Sequence, residues 1–228
     1  MKKIRLKAMA KINLGLDVLG KREDGYHEVR MIMQTIRMYD ILDIRKTRRP
    51  GIVLTTNLQF IPTDQRNLVY KAAQMLMEEF DVEEGLSIKL RKFIPVAAGM
   101  AGGSSDAAAA FVGVNRMFHL GLTEEQLMER AVKVGADVPY CIMRGTALAE
   151  GIGEKLTRLP EVPKCYVLIG KPGINVSTKT AYENLNLEGI GKHPDIDGLI
   201  GAIRNNDLYA MAYLSLIHIS EPTRLGMI

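Results

Sequence analysis

Gly99, Gly102, Gly103, Ser104 and Ser105 crowd into one short stretch of the chain, residues 99–105. Glycine tolerates positive φ and lets backbone approach a ligand closely. Serine suits a helix N-cap, where the first N–H groups are unpaired and point outward. With about half a positive charge at the helix N-terminus, such N–H groups form an anion site, and phosphate is the natural occupant. The P-loop pattern fails because no Lys follows the glycines, and the dinucleotide fingerprint fails on spacing. Tight packing of a turn against an Ala-rich helix would explain the same glycines without a ligand.

Other residues could supply chemistry beside such a loop. Lys11 lies within the apolar run Ala10-Lys11-Ile12-Asn13-Leu14, where burial costs free energy unless the ammonium finds a partner. On spacing alone it is equally an edge-strand lysine facing solvent. Asp24-Gly25-Tyr26-His27 is a turn dipeptide followed by an aromatic and an imidazole, which alone reads as surface. Asp137, in Gly135-Ala136-Asp137-Val138-Pro139, follows a helix stop and alone reads as a turn former.

Stepping outward to the elements, residues 86–93 alternate apolar and polar, predicting a strand into the glycine loop, and 107–118 predict a helix after it. The N-terminal third reads as one long, interrupted β run over 4–10 and 12–19, followed by strands at 29–37, 41–46 and 52–56. The basic cluster Arg45-Lys46-Thr47-Arg48-Arg49 precedes Pro50-Gly51 and reads as a solvated hairpin turn, not a nucleic-acid patch. Residues 67–80 carry helical periodicity, and Thr123 with Gln126 forms a capping box before a helix at 127–134. Residues 147–156 return to extended structure, and the prolines at 160 and 163 mark a linker. Beyond it we expect a strand at 165–170 and helices at 177–185 and from 197 towards 213. Strands and helices that do not strictly alternate predict an α+β fold.

Composition bounds the function. A chain of 228 residues, 47% hydrophobic, supports a real core. No apolar run reaches the roughly 18 residues of a membrane span, and the N-terminus does not read as a signal peptide. Cys141 and Cys165 lack metal or disulfide-framework spacing and suit a reducing, cytoplasmic setting. The net charge of +4 is mild and compatible with phosphorylated substrates.

The full string Pro-x-Ala-x-Gly-x-x-Gly-Gly-Ser-Ser-x-Ala, from Pro95, resembles the ATP loop of the GHMP kinases. With Ala-Lys-Ile-Asn-Leu, Asp-Gly-Tyr-His, Gly-Ala-Asp-Val-Pro and Ala-Glu-Gly-Ile-Gly-Glu in the same order, the chain resembles the 4-diphosphocytidyl-2-C-methyl-D-erythritol kinase family within that superfamily. The match runs from about residue 4 to 213, and the Asp-Gly-Tyr-His element separates this family from its cousins. Where family loops often carry glycine, this chain has Ala97, Ala98 and Ala101.

The resemblance implies ATP-dependent phosphorylation of the 2-hydroxyl of a cytidine-diphosphate methylerythritol, a step of the non-mevalonate isoprenoid route. By motif, Asp137 is the general base, Lys11 holds it ionised, and Asn13 orients the reacting group. Tyr26 and Tyr182 would cover the two faces of the cytosine and His27 would read its edge. ATP would lie on Pro95, Val96, Ala97, Ala98, Gly99, Met100, Ala101, Gly102, Gly103, Ser104 and Ser105, with Mg²⁺ near Ser104 or Ser105; Asn67 falls near the adenine. The family's fold implies a ribosomal protein S5 domain 2-like N-terminal domain at 1–158 and an incomplete ferredoxin-like domain at 164–213. Residues 214–228 do not fit the family, and the run 214–224 resembles a translated library adapter. The partners expected are small molecules, neither nucleic acid nor membrane. The alternatives are another GHMP kinase such as a mevalonate-pathway member, against which Tyr26 and His27 argue, an RNA-binding module, or an inactive nucleotide-binding fragment.

Overall fold

The structure is a computed structural model of the 228-residue chain, and residues 2–170, 184–185 and 193–215 are described. Tyr182, most of the expected helix at 177–185 and nearly all of the 214–228 tail lie outside the described residues. The chain divides into two units, each described separately.

The first unit comprises Met1–Lys11, Ile36–Val96 and Met100–Met143. It takes residues from two long strands, β1 (Lys3–Lys21) and β2 (His27–Thr47), which pair with each other. The first is continuous where the sequence predicts one long, interrupted run, and the second is continuous where it predicts two shorter strands. Within this unit, β2 residues 41–47 pair antiparallel with β4 (Gly85–Arg91), and β4 pairs parallel with β3 (Ile52–Thr56). The connection from β2 to β3 is therefore not a hairpin, because β4 lies between them. The exposed basic turn stays solvated, but the apolar alternation of β4 wins the place beside β2: Leu86, Ile88 and Leu90 are buried while Lys89 faces out.

Helices cover the sheet. They are α1 (Leu68–Glu79), α2 (Gly102–Phe118), α3 (Glu124–Ala131) and the short α4 (Val138–Met143). Asn67 caps α1, its side chain accepting from the Val69 N–H, and the capping box at Thr123 and Gln126 forms as expected. Ala107, Ala108, Ala109 and Ala110 are all buried, so α2 approaches its neighbours closely, packing on α1 and α4. Gly113 carries this contact onto the sheet, where a Cβ would meet Ile44 Cδ1 at 2.5 Å and Leu6 Cδ1 at 2.7 Å.

The second unit comprises Ile12–Thr35, Ala97–Gly99 and Arg144–Ile228. There β2 residues 31–34 pair antiparallel with β5 (Thr146–Glu150), which forms a hairpin with β6 (Lys155–Leu159). Helices α5 (Ile196–Arg204) and α6 (Leu208–Leu214) close over Ile32 and Leu148, burying Ile196, Leu199, Ile203 and Met211. The single helix expected from 197 is thus two, broken where Asn206 turns left-handed at φ 55° and Asp207 caps α6. Residues 165–170 form no strand. Tyr166 and Leu168 are fully exposed, and their apolar run has no ladder partner among the described residues. The architecture is α+β, and no described helix is long and apolar enough to cross a membrane.

Candidate active site

Helix α2 begins at Gly102, earlier than its apolar periodicity shows, and Ala101 is its N-cap at φ 53° with no capping side chain. Ser104 and Ser105 therefore sit inside the first turn and not at the cap. The Ser105 N–H already bonds the Ala101 carbonyl, which leaves the N–H groups just before it without a partner within the helix. The helix carries no acidic residue in its first turn. Exposed donors, an uncapped end and the helix dipole together make an anion site.

The backbone leading into α2 is held in left-handed conformations at Ala97 (φ 54°), Gly99 (φ 68°) and Ala101. For alanine that conformation costs about 1–2 kcal/mol, so strain is stored where glycine would carry none. Pro95, Val96, Ala97, Gly99 and Gly103 are exposed, Ala98, Gly102 and Ser104 half-buried, and Met100 and Ser105 buried.

Strand β1 is tied to this helix end. The Ser105 hydroxyl donates to the Met9 carbonyl at 2.6 Å, and the Lys11 N–H donates to the Met100 carbonyl at 3.2 Å. These bonds fix the strand that presents the Lys11 side chain. That side chain is 6% exposed, so Lys11 is not an edge lysine facing solvent. Its ammonium lies 4.0 Å from Asp137 Oδ2, an ion pair too long for a hydrogen bond. Asp137 stands immediately before α4, where its carbonyl accepts the Cys141 N–H while its carboxylate stays one-third exposed. A half-open carboxylate beside a buried cation has the make-up of a proton acceptor with a charge stabiliser next to it. Its open side can meet the proton of a bound hydroxyl.

Lys11, Asp137 and residues 100–105 are thus brought together in the first unit. Asn13, Tyr26, His27 and residues 97–99 belong to the second, and Tyr182 lies outside the described residues. Asn13 is half-buried in β1. The turn before β2 is tight: Gly25 takes φ 85°, the Asp24 carboxylate accepts the Tyr26 N–H at 3.1 Å, and the Arg22 N–H bonds the Tyr26 carbonyl at 2.8 Å. It leaves Tyr26 59% exposed, a ring free to be covered, with His27 half-buried at the start of β2. Asn67 is accounted for without a ligand, since its amide also donates to the Pro62 carbonyl at 2.7 Å.

The chain matches the family model described as GHMP kinases N terminal domain over residues 67–145. It is 56% identical over 212 residues to a 4-diphosphocytidyl-2-C-methyl-D-erythritol kinase of Lachnospira eligens, covering 93% of this chain and 74% of that protein. The chain belongs to the 4-diphosphocytidyl-2-C-methyl-D-erythritol kinase family. A second member of this kinase family, from Lachnoclostridium phytofermentans, is 57% identical over 211 residues, covering 92% of this chain and 72% of its own length. A crystal structure of a 4-(cytidine 5'-diphospho)-2C-methyl-D-erythritol kinase superposes with a TM-score of 0.76 at 31% identity, over 90% of this chain and 72% of that one. Homoserine kinase from Cytophaga hutchinsonii shares the fold alone, with a TM-score of 0.70 at 18% identity over 99% of this chain and 75% of that one. The architecture is accordingly the GHMP kinase fold.

One cluster beneath the kinase-family loop escapes sequence reasoning. Asp40, Lys92 and Asp106 are buried together, Lys92 bonding both carboxylates and lying 2.6 Å from Asp106 Oδ2. Burial pushes the Asp106 carboxyl well above its ordinary range; Lys92 pulls the other way and the neighbouring Asp40 reinforces the rise. The signal was available: Asp40 interrupts an apolar strand as Lys11 does, and Asp106 stands within the loop motif.

Proposed function

We propose that this chain is an ATP-dependent kinase that phosphorylates the 2-hydroxyl of 4-diphosphocytidyl-2-C-methyl-D-erythritol, in the non-mevalonate route to isoprenoids. The observation that carries the reading is the Lys11–Asp137 ion pair at 4.0 Å, on a strand bonded through its Lys11 N–H to Met100 of the glycine-rich loop. Membership of the family supplies the substrate class.

The chemistry follows from that pair. Asp137 takes the proton of the substrate hydroxyl as its oxygen attacks the γ-phosphorus of ATP. The bond from that phosphorus to the β,γ-bridging oxygen breaks, and ADP leaves with the electron pair. A hydroxyl oxygen between the two side chains can donate to Asp137 and accept from Lys11, and the 4.0 Å separation leaves bond-length reach to both. Lys11 then steadies the negative charge that develops on the attacking oxygen. Such transfer relies on positioning and charge stabilisation more than on covalent steps. The unpaired N–H groups at the start of α2 would take the phosphate oxygens.

Magnesium fits the hydroxyl present at this helix start. Ser105 is buried and committed to the Met9 carbonyl, whereas Ser104 is half-buried in the first turn, so Ser104 would take a magnesium ion carried on the phosphates. Bound there, the ion would neutralise charge on the transferring group. Tyr26 and His27 would form the face and edge contacts of a cytosine pocket, with Tyr182 on the opposite face and Asn13 orienting the methylerythritol. A flat π surface wants an aromatic cover and its edge wants a fixed hydrogen-bonding group.

The test is a phosphoryl-transfer assay on the 228-residue chain. ATP and 4-diphosphocytidyl-2-C-methyl-D-erythritol should give ADP and a product carrying one new phosphate on the 2-hydroxyl, read by phosphorus NMR. Transfer to mevalonate or homoserine, with none to the cytidyl substrate, would refute the reading.

A further inference from the structure

Lys92 directly follows β4 at the point where the chain turns toward the glycine-rich loop, and its surroundings are unusually complete. Its own N–H donates to the Asn57 side-chain oxygen at 2.8 Å, and its carbonyl accepts from the Asn57 amide at 3.1 Å. The next two N–H groups, of Phe93 and Ile94, both donate to Asp40 Oδ1, at 2.5 and 2.8 Å. Every backbone donor from 92 to 94 is thus taken by a side chain from elsewhere in the same unit, and Pro95 has none to offer. The Lys92 side chain doubles back to bond Asp40 and Asp106, with 5%, 0% and 3% of the three side chains exposed.

A fully buried charge cluster is weak evidence for stability, because apolar replacements of the same volume are often neutral or better. Its place suggests a different use. A Cβ added to Gly102 would meet the Lys92 ammonium at 3.1 Å, so the cation sits directly behind the first residue of α2. Asp106 lies one turn further along the same helix. One cation therefore joins the strand that enters the loop to the helix that leaves it, and the two carboxylates it bonds offset its charge.

We infer that Lys92, clamped by Asp40 and Asp106, is a positioning residue for the nucleotide's phosphates: it fixes the spacing between residues 92–94 and the start of α2. This rests on the kinase reading above for the identity of the anion. The role needs no contact between Lys92 and ATP, because the effect passes through Gly102 and the backbone.

The test measures ATP affinity, in the presence of magnesium, by titration calorimetry on the folded 228-residue chain. Lys92→Met should weaken ATP binding by about tenfold through lost pre-organisation of the loop, with the KM for the cytidyl substrate within about twofold of wild type. Because Lys92→Met leaves Asp40 without its cation and can fail to fold, the paired variant Lys92→Met/Asp40→Asn is measured alongside. It removes both charges while the Asn oxygen still accepts from Phe93 and Ile94, and it should show the same loss. A merely structural cluster would lower the unfolding temperature without moving the ATP affinity of the molecules that remain folded. Wild-type ATP affinity in either folded variant overturns the inference. A wild-type chain that binds ATP but transfers nothing to the cytidyl substrate overturns the kinase reading instead and leaves this one standing.

Discussion

Lys11 is buried with its ammonium 4.0 Å from the half-open Asp137 carboxylate, and the two side chains are not interchangeable. Removing either partner has different costs. Asp137→Asn keeps the shape and loses the proton acceptor, so kcat should fall by about 10²–10⁴ with the circular dichroism spectrum unchanged. Lys11→Met keeps the volume without the charge and should lower kcat comparably, while KM for ATP moves less. Near-normal turnover in Asp137→Asn would remove it as the base. Tyr26 should behave otherwise. Its ring is held on a tight turn and stays open to a ligand, so Tyr26→Ala should raise KM for the cytidyl substrate much more than it lowers kcat. His27→Ala should narrow the preference for cytidyl over uridyl substrates; a wild-type KM and preference in both variants would place base recognition elsewhere.

At the scale of elements, the sequence was most legible where one periodicity acted alone. The period-2 alternation of β4 and the capping residue at 67 place those elements to within a residue or two, while the helix expected at 127–134 starts three residues earlier, directly after its cap at Thr123. Loops were read less well for a physical reason. Gly102 and Gly103 are poor helix formers, so propensity starts α2 after them, whereas the helix begins with them, directly after the left-handed N-cap Ala101. The turn after β2 carries hairpin residues, yet the partner of β2 is β4, a pairing between residues 41–47 and 85–91 that no local signal encodes. Gly85 shows how closely that turn is fitted. A Cβ there would lie 1.8 Å from the Arg49 carbonyl oxygen and 2.8 Å from that of Gly51. Backbone cannot move aside as a side-chain tip can, so Gly85→Ala should destabilise the protein by about 1–3 kcal/mol in urea. In the same sheet Asp43 joins β2 to Arg5 and Arg91, at 2.7 and 3.1 Å, and the Arg5 hydrogen bond holds its carboxyl below the ordinary 3.8. A depressed folded value stabilises above the unfolded one and is lost as pH falls through it. Asp43→Asn should therefore lower the unfolding temperature at pH 7, and the difference from wild type should close below the ordinary value of 3.8; a gap constant with pH would deny the linkage.

For the molecule as a whole, the residues that complete a core are far apart in sequence. Arg30 and Asp197, separated by 167 positions, meet in a two-pronged ion pair at 2.8 and 2.6 Å. The same helix, α5, lays Ile196 and Leu199 against Gly15, where a Cβ would come within 2.9 and 3.0 Å of them. No periodicity could have foretold this: the spacing of 196–204 marks an amphipathic helix but not the strands it covers. Two forces could hold α5 in place, and magnitude separates them. The ion pair is exposed on the Asp197 side, where water and salt screen it and the cost of ordering two side chains offsets much of the attraction. Leu199, by contrast, is 1% exposed among Ile32, Leu148 and Ile203, and nothing nearby can collapse fully into the space it fills. Leu199→Ala should cost about 2–5 kcal/mol, whereas Asp197→Asn should shift the urea midpoint by a small fraction of that, and less still in high salt. Hydrogen exchange offers a second readout. With Leu199 truncated, the amides of β5 should lose protection as α5 opens; with Asp197 neutralised, they should keep it. A larger loss from Asp197→Asn than from Leu199→Ala would mean that charge, and not apolar burial, holds this end of the chain to the strands it covers.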